Sequence, residues 1–208
     1  IEVSPSNTRY KYLDNKYLLK KSDINKEDFD ELVWVNRDVI DIIVPKSVKK
    51  IYPFIIKDFD YLSFEEGSQI EIIDSDTIDP NHGLCYKIVF PRSVKLIKSG
   101  AVILCVRLHS NFNKTVIFES EEITIEKNAL IGINSNPFCR LMFPNAKKII
   151  CNDYVKQWFY VRVRRDAELK GILFEENRIK PQFYGDVSVS KEKILNLFEY
   201  VRSIEKQL

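Results

Sequence analysis

Glycine is scarce in this chain, six of 208 residues, and histidine is scarcer, with two. So few glycines argue against a phosphate-cradling loop, and no Walker loop, G-x-G-x-x-G or G-x-S-x-G pattern occurs. His82 and His109 belong to no H-x-x-x-H or mixed Cys/His cluster, and Cys85, Cys105, Cys139 and Cys151 form no C-x-x-C pair. A zinc site needs about four convergent ligands at tight spacing, so neither a metal centre nor a cofactor is expected. Four cysteines are also too sparse for a small disulfide scaffold and read as mostly reduced, buried residues. An excess of one charge is missing too. Against 32 basic residues stand 30 acidic ones, and a net charge of +2 gives no whole-chain attraction to nucleic acid or anionic membrane. No apolar run approaches the roughly 20 residues that cross a bilayer, so no membrane span is expected. The chain opens IEVSPSNTRY, with neither an initiator Met nor a signal peptide, and reads as a mature fragment or a trimmed chain.

What is present is hydrophobic material, 45% of the residues, which excludes disorder and suffices for one elongated unit or one to two compact domains. It is arranged in repeats. The stretch VPKSVKKI from Val44 returns as FPRSVKLI from Phe90, with Pro45/Pro91, Ser47/Ser93, Val48/Val94, Lys49/Lys95 and Ile51/Ile97 identical. The two copies align without a gap as far as Phe59/Cys105 and Leu62/Leu108, mostly at apolar positions. A third copy starts at MFPNAKKII and continues through Tyr154, Val155, Trp158 and Val161. Between these lie copies with Glu in place of Pro: SFEEGSQIEII, IFESEEITI and LFEENRIK. The anchors Val44, Phe64, Phe90, Phe118, Phe143 and Phe174 recur every 20–31 residues, a solenoid spacing.

Before each anchor is a short strand pattern: DIIV, YLSF, KIVF, TVIF, RLMF and GILF. Alternation places Ile42/Val44, Leu62/Phe64, Ile88/Phe90, Val116/Phe118, Leu141/Phe143 and Ile172/Phe174 on one face. A single such strand cannot bury that face; six stacked in parallel can. Pro lacks an N–H and closes the strand, SVKKI and SVKLI cross the bend, and the stretch to Phe59, Cys105 and Trp158 returns as a short helix or turn.

These phrases resemble the leucine-rich repeats of BspA-like proteins of bacteria and protists, which read approximately I-P-x-S-V-x-x-I-x-x-x-A-F-x-x-C-x-x-L. Here Pro91, Ser93, Val94, Ile97, Ala101, Cys105 and Leu108 match, and Val102 stands where Phe is usual. Phe64, Ser68, Ile70 and Ile73 resemble the partner repeat F-x-x-x-S-x-L-x-x-I. The resemblance covers roughly residues 40–175, and the copies at Phe118 and Phe143 depart from it most. It implies an α/β, β-rich solenoid: a leucine-rich-repeat horseshoe with a short parallel sheet on its concave side, capped by a C-terminal helix. Residues 1–38 are then an N-terminal cap or degenerate repeat, 39–180 the leucine-rich-repeat solenoid, and 181–208 the capping helix, where Ile194, Leu197, Phe198, Val201, Ile204 and Leu208 keep helical spacing behind a Ser190 N-cap. Members of this class are adhesion or protein-binding modules, often at cell surfaces and not enzymes as a rule, so no catalytic residue carries over.

The residues between the inward anchors point out of the sheet. They form one column, Ile43, Ser63, Val89, Ile117, Met142 and Leu173, beside another of Asp41, Tyr61, Lys87, Thr115 and Arg140. An apolar row with a polar margin is what a binding patch looks like, although strands also favour β-branched residues for their own sake. Ile43, Tyr61, Ser63, Lys87, Val89, Thr115, Ile117, Arg140, Met142 and Leu173 are therefore the candidate binding residues, for a protein or glycoprotein ligand. Arg162, Arg164 and Arg165 in VRVRRD could meet an anionic glycan or phosphate, or form a solvated strand edge. Asp74, Asp76 and Asp79 lack the Gly and Glu that complete a calcium loop. Three functions compete: a cell-surface adhesion module, which the resemblance favours; an intracellular scaffold, which reduced cysteines favour; and a β-helix carbohydrate-active enzyme, which needs acids stacked on neighbouring strands.

Overall fold

The computed structural model describes residues 1–79, 85–103, 114–131, 139–153, 160–175 and 181–184. The chain starts with three antiparallel strands, β1 (Tyr10–Leu13), β2 (Tyr17–Lys20) and β3 (Glu31–Val35). Asp14 and Asn15 turn the first hairpin with φ of 52° and 55°, left-handed values that these two residue types tolerate. A parallel solenoid follows, three strands to a turn. Its four complete turns are β4 (Asp41–Val44), β5 (Lys50–Ile51) and β6 (Ile56–Lys57); β7 (Tyr61–Phe64), β8 (Ile72–Ile73) and β9 (Ile78–Asp79); β10 (Lys87–Phe90), β11 (Leu96–Ile97) and β12 (Val102–Ile103); and β13 (Lys114–Phe118), β14 (Glu122–Ile125) and β15 (Leu130–Ile131). Beyond them come β16 (Cys139–Phe143), β17 (Lys148–Cys151), β18 (Tyr160–Val163), β19 (Glu168–Lys170), the single-turn helix α1 (Ile172–Glu175) and β20 (Gln182–Phe183).

The first strand of every turn joins a seven-stranded parallel sheet in the order β4-β7-β10-β13-β16-β18-β20. The second strands β8, β11, β14, β17 and β19 form a second sheet, and β6, β9, β12 and β15 a third. β5 pairs in parallel with β3, so the N-terminal meander is joined to the first turn by backbone hydrogen bonds. The Tyr17 hydroxyl accepts from the Ile43 N–H at 3.0 Å, which occupies a donor on β4. Asp30, itself buried, fixes the same region by accepting from the Ser22 N–H and hydroxyl at 2.8 and 2.7 Å.

The alternation predicted for the first strands is what the sheet buries. Ile42, Val44, Leu62, Ile88, Phe90, Val116, Phe118, Leu141 and Phe143 are all at most 1% exposed. Their rings form a ladder, with Phe64–Phe90, Phe90–Phe118 and Phe118–Phe143 centroids 6.2, 5.2 and 4.9 Å apart. Ile51, Ile73, Ile97, Ile125 and Cys151 line the core from the second side, and Ile56, Ile78, Val102 and Leu130 from the third. Val48 and Val94 are fully buried while Lys49 and Lys95 face water, so the repeated phrase is a corner. In it the Pro carbonyl accepts from the Val three residues on, at 3.0 Å in the first copy and 3.2 Å in the second.

Glu and Pro after the anchor differ in what they offer the backbone ladder. The Glu65 N–H continues the ladder to the Val44 carbonyl at 2.9 Å, and the Glu119 N–H does so to the Phe90 carbonyl at 3.0 Å. Pro91 has no N–H to offer β7, and the β7–β10 register is confined to Lys87↔Tyr61 and Ile88↔Leu62. By contrast, β4–β7 and β10–β13 pair along four residues each. The short seam is particular to β7–β10, since β13–β16, which leads to Pro144, also pairs along four residues.

The corner between the second and third sheets carries its own chain of bonds. The Phe54 N–H donates to the Asp76 carbonyl, that of Asp76 to the Gly100 carbonyl, and that of Gly100 to the Asn128 carbonyl, at 2.7–2.9 Å. All four residues sit at left-handed φ between 57° and 75°, so stacking holds even a phenylalanine in a conformation that costs it energy. The side chain of Asp153 ends the chain. Its two oxygens accept from the Asn128 and Leu130 N–H groups at 3.0 and 2.9 Å, in place of the backbone carbonyls used one and two turns earlier.

Two expectations are corrected. The return side was to be a short helix or turn; it is the third sheet, because the few residues between corners form two-residue strands that stack Ile on Ile and Val on Leu. GILF was to be the sixth strand, with Ile172 and Phe174 inward and Leu173 outward. It is instead helix α1, and Leu173 is 2% exposed. Gly171, at φ 95°, lies so close to the Cys151 carbonyl that a Cβ would stand 2.5 Å from it, and the chain turns there into a helical turn closed by Phe174 N–H to Gly171 O. The sixth strand is β18, with Val161 and Val163 inward. The expected C-terminal capping helix, and Cys105, Leu108, Tyr154, Val155 and Trp158 of the repeats, lie outside the described residues.

Cys85, Cys139 and Cys151 are free and buried, and burial pushes each thiol up to about 12. They are expected to resist iodoacetamide at about pH 8 in the folded protein and to react once it is unfolded in urea. Peptide mass spectrometry reads this directly; rapid native labelling of any of the three would contradict the packing.

Candidate functional site

The outward positions of the seven-stranded sheet fall into two rows set by the register. Asp41, Tyr61, Lys87, Thr115, Arg140 and Tyr160 are successive partners in one. Ile43 and Ser63 start the other, which continues through Val89, Ile117, Met142, Arg162 and Gln182. Nine of the ten candidate binding residues therefore share one face. Ile43 and Tyr61 are 50% and 48% exposed, Lys87 and Arg140 are exposed, and Ser63, Val89, Thr115, Ile117 and Met142 are half-buried by one another. Leu173, the tenth, is in the core, and Arg162 holds the place assigned to it.

Aromatic rings punctuate this face. Tyr61 lies 5.7 Å from Tyr86, the Arg140 guanidinium is 5.8 Å from the Tyr160 ring centre, and that of Arg162 is 4.6 Å from Tyr184. The sequence leaves Arg162 between an anion contact and a solvated strand edge, and does not single out Tyr160 and Tyr184. The alternation of YVRV was the available signal, since it places Tyr160 and Arg162 opposite the inward Val161 and Val163. Of the neighbouring arginines, Arg164 forms a two-pronged bond with Asp166 at 2.9 and 2.7 Å, and Arg165 lies 5.4 Å from the Phe183 ring centre. At the corner beside the face, Phe64, Gly67, Ser68, Val89, Arg92 and Ser93 are among the residues lining a groove of about 580 Å³. The Ser68 and Ser93 hydroxyls there are buried without a hydrogen-bond partner.

The second sheet has a different surface. Its outward row Ile72, Leu96, Thr124, Ile150 and Lys170 is bordered by ion pairs between neighbouring turns: Lys95–Glu71 at 2.6 Å, Lys147–Glu121 at 2.7 Å and Lys98–Asp74 at 2.6 Å. The Lys147 ammonium beside Glu121 holds that carboxyl below its ordinary value. A groove of about 470 Å³ on this side contains Glu121 and Glu122. In the row through Glu122 and Glu168, Lys148 stands between the two acids. Among the described residues no group of three metal-ligating side chains converges, and the Asp74 carboxylate is engaged by Lys98. No helix among them is long and apolar enough to cross a membrane. Comparison of the chain with family models, curated proteins and solved structures finds no match.

Proposed function

We propose that this chain is a non-catalytic protein-binding module that recognises a protein or glycoprotein through the outward face of its seven-stranded sheet. The supporting observation is the continuity of that face, whose row Ile43, Ser63, Val89, Ile117 and Met142, apolar at all but Ser63, is kept in register by parallel pairing and margined by Tyr61, Lys87 and Arg140. A rigid stacked core presents these side chains with little ordering cost on binding, which favours affinity. The repeat phrases support a finer reading, a leucine-rich-repeat horseshoe of the BspA-like kind serving adhesion at a cell surface. The β-helix enzyme reading has less support, because the acids of the second sheet are separated or paired by lysines.

The test is a selection of phage-displayed random peptides on the folded protein, followed by binding measurements on the double variant Val89→Glu and Ile117→Glu. Two charges placed in the apolar row are expected to weaken the selected peptides at least about tenfold, the loss of roughly 1.4 kcal/mol. A matching pair on the second sheet, Thr124→Glu and Ile150→Glu, should leave them bound. Peptides that bind both variants equally, with unfolding midpoints unchanged, would place recognition elsewhere.

A further inference from the structure

Resting on that reading of the sheet, we infer that the face from β10 onward is a carboxylate-binding surface, fitted to a polypeptide partner that carries Asp or Glu side chains beside apolar ones. The observation is a contrast within one molecule. On the second sheet, lysines of one turn are met by acids of the turn before. On the seven-stranded sheet Lys87, Arg140 and Arg162 form no ion pair and no side-chain hydrogen bond among the described residues; the two arginines lie against tyrosine rings instead.

Stacking on a ring removes water from one face of a guanidinium. Arg162 shows the consequence: its Nε is buried and makes no hydrogen bond, and neither does the buried hydroxyl of Tyr184 against which it stacks. A partly desolvated cation that no described side chain pairs is an unfavourable resting state that an incoming carboxylate improves, with paired N–H···O bonds in the plane of the fork. The acid of these rows, Asp41, stands at the opposite end, on β4.

Spacing argues for a polypeptide. With strands ~4.8 Å apart and alternate residues ~6.6 Å apart, Arg140 and Arg162 are separated by roughly 8 Å and Arg140 and Lys87 by roughly 10 Å. Thr115 stands between Lys87 and Arg140, and the apolar Val89, Ile117 and Met142 run alongside in the adjoining row that Arg162 continues. A sulfated glycan is held by cations packed side by side, whereas interleaved cations and apolar side chains match a chain whose acids alternate with apolar residues.

The experiment follows the arginine Nε–Hε resonances of the ¹⁵N-labelled protein during titration with acetyl-hexaglutamate amide, with a heparin hexasaccharide in parallel. Hexaglutamate is expected to move the Arg140 and Arg162 signals, to bind about fivefold more weakly to the R140Q/R162Q variant, and to be displaced by raised salt. Unmoved signals, equal binding to R140Q/R162Q with its unfolding midpoint unchanged, or binding of heparin without hexaglutamate would each overturn the inference. The phage selection separates this from the broader reading. Selected peptides that need Val89 and Ile117 but contain no acids would leave the recognition face standing and remove its carboxylate preference.

Discussion

Replacing Phe118 with alanine is expected to destabilise the protein by about 3–5 kcal/mol, measured by urea denaturation. The ring is fully buried in the middle of the sheet, stacked on Phe90 at 5.2 Å and on Phe143 at 4.9 Å. Its loss removes roughly 1.5–3 kcal/mol of apolar transfer, leaves a cavity the β-stack cannot close, and breaks two ring pairs of about 0.5–1.5 kcal/mol each. A solenoid is held by contacts between neighbouring turns, so damage in the middle also weakens the coupling of its two halves. The transition is expected to broaden as well as shift. Phe64→Ala is the internal comparison: that ring is only partly buried and has one neighbour in the ladder, at 6.2 Å, so its cost should be smaller. Equal effects at the two positions would mean that the ladder is not the spine of the fold.

Asp153→Ala is the second large effect. The carboxylate stands in for two backbone carbonyls, and its removal leaves the Asn128 and Leu130 N–H groups without their acceptors. At about 1–3 kcal/mol for a buried donor left unsatisfied, and less for the part-buried Asn128 N–H, the expected loss is about 2–5 kcal/mol near neutral pH, with Asp153→Asn intermediate because one acceptor oxygen remains. The wild-type pH dependence carries a sign of its own. Burial raises the Asp153 pKa above the ordinary carboxylate value, and the hydrogen bonds from Leu130 and Asn128 offset this only in part. A raised folded-state value means that the protonation-linked stability is fully present below the unfolded pKa and is lost as pH rises through the folded one. The stability of wild type minus that of Asp153→Asn should therefore fall with rising pH across that interval. A difference that rises would show that the backbone donors, not burial, dominate the site.

The sequence made the stacking legible because its signal is local and repeated. Alternation in KIVF and RLMF, and Pro after the anchor, name the inward faces and the strand ends without any tertiary knowledge. Three sides rather than one sheet with a helical return was harder to read. Two-residue strands such as Ile56–Lys57 and Val102–Ile103 are too short to show a period, and only pairing between turns defines them. GILF misled because four apolar-rich residues suit a strand and a single helical turn equally, and the deciding contact is Gly171 against the Cys151 backbone, which is distant in sequence. Asp153 was invisible for the same reason: a lone aspartate does not announce that it will serve as two carbonyls. On the candidate face, nine positions were readable from alternation, while the tyrosines under Arg140 and Arg162 depended on knowing that YVRV is the next strand.

One in-register parallel ladder brings residues far apart in the chain onto a single face. Nitroxide labels at Ile43→Cys and Gln182→Cys, with Cys105 replaced by alanine, test it by double electron–electron resonance. Both positions are exposed ends of one row, six strand spacings apart. The ladder predicts one narrow distance distribution centred near ~29 Å, widened by a few ångströms of linker. A distribution centred beyond about 40 Å, or split into several populations, would contradict the stacked register, and with it the continuous face on which recognition is proposed to rest.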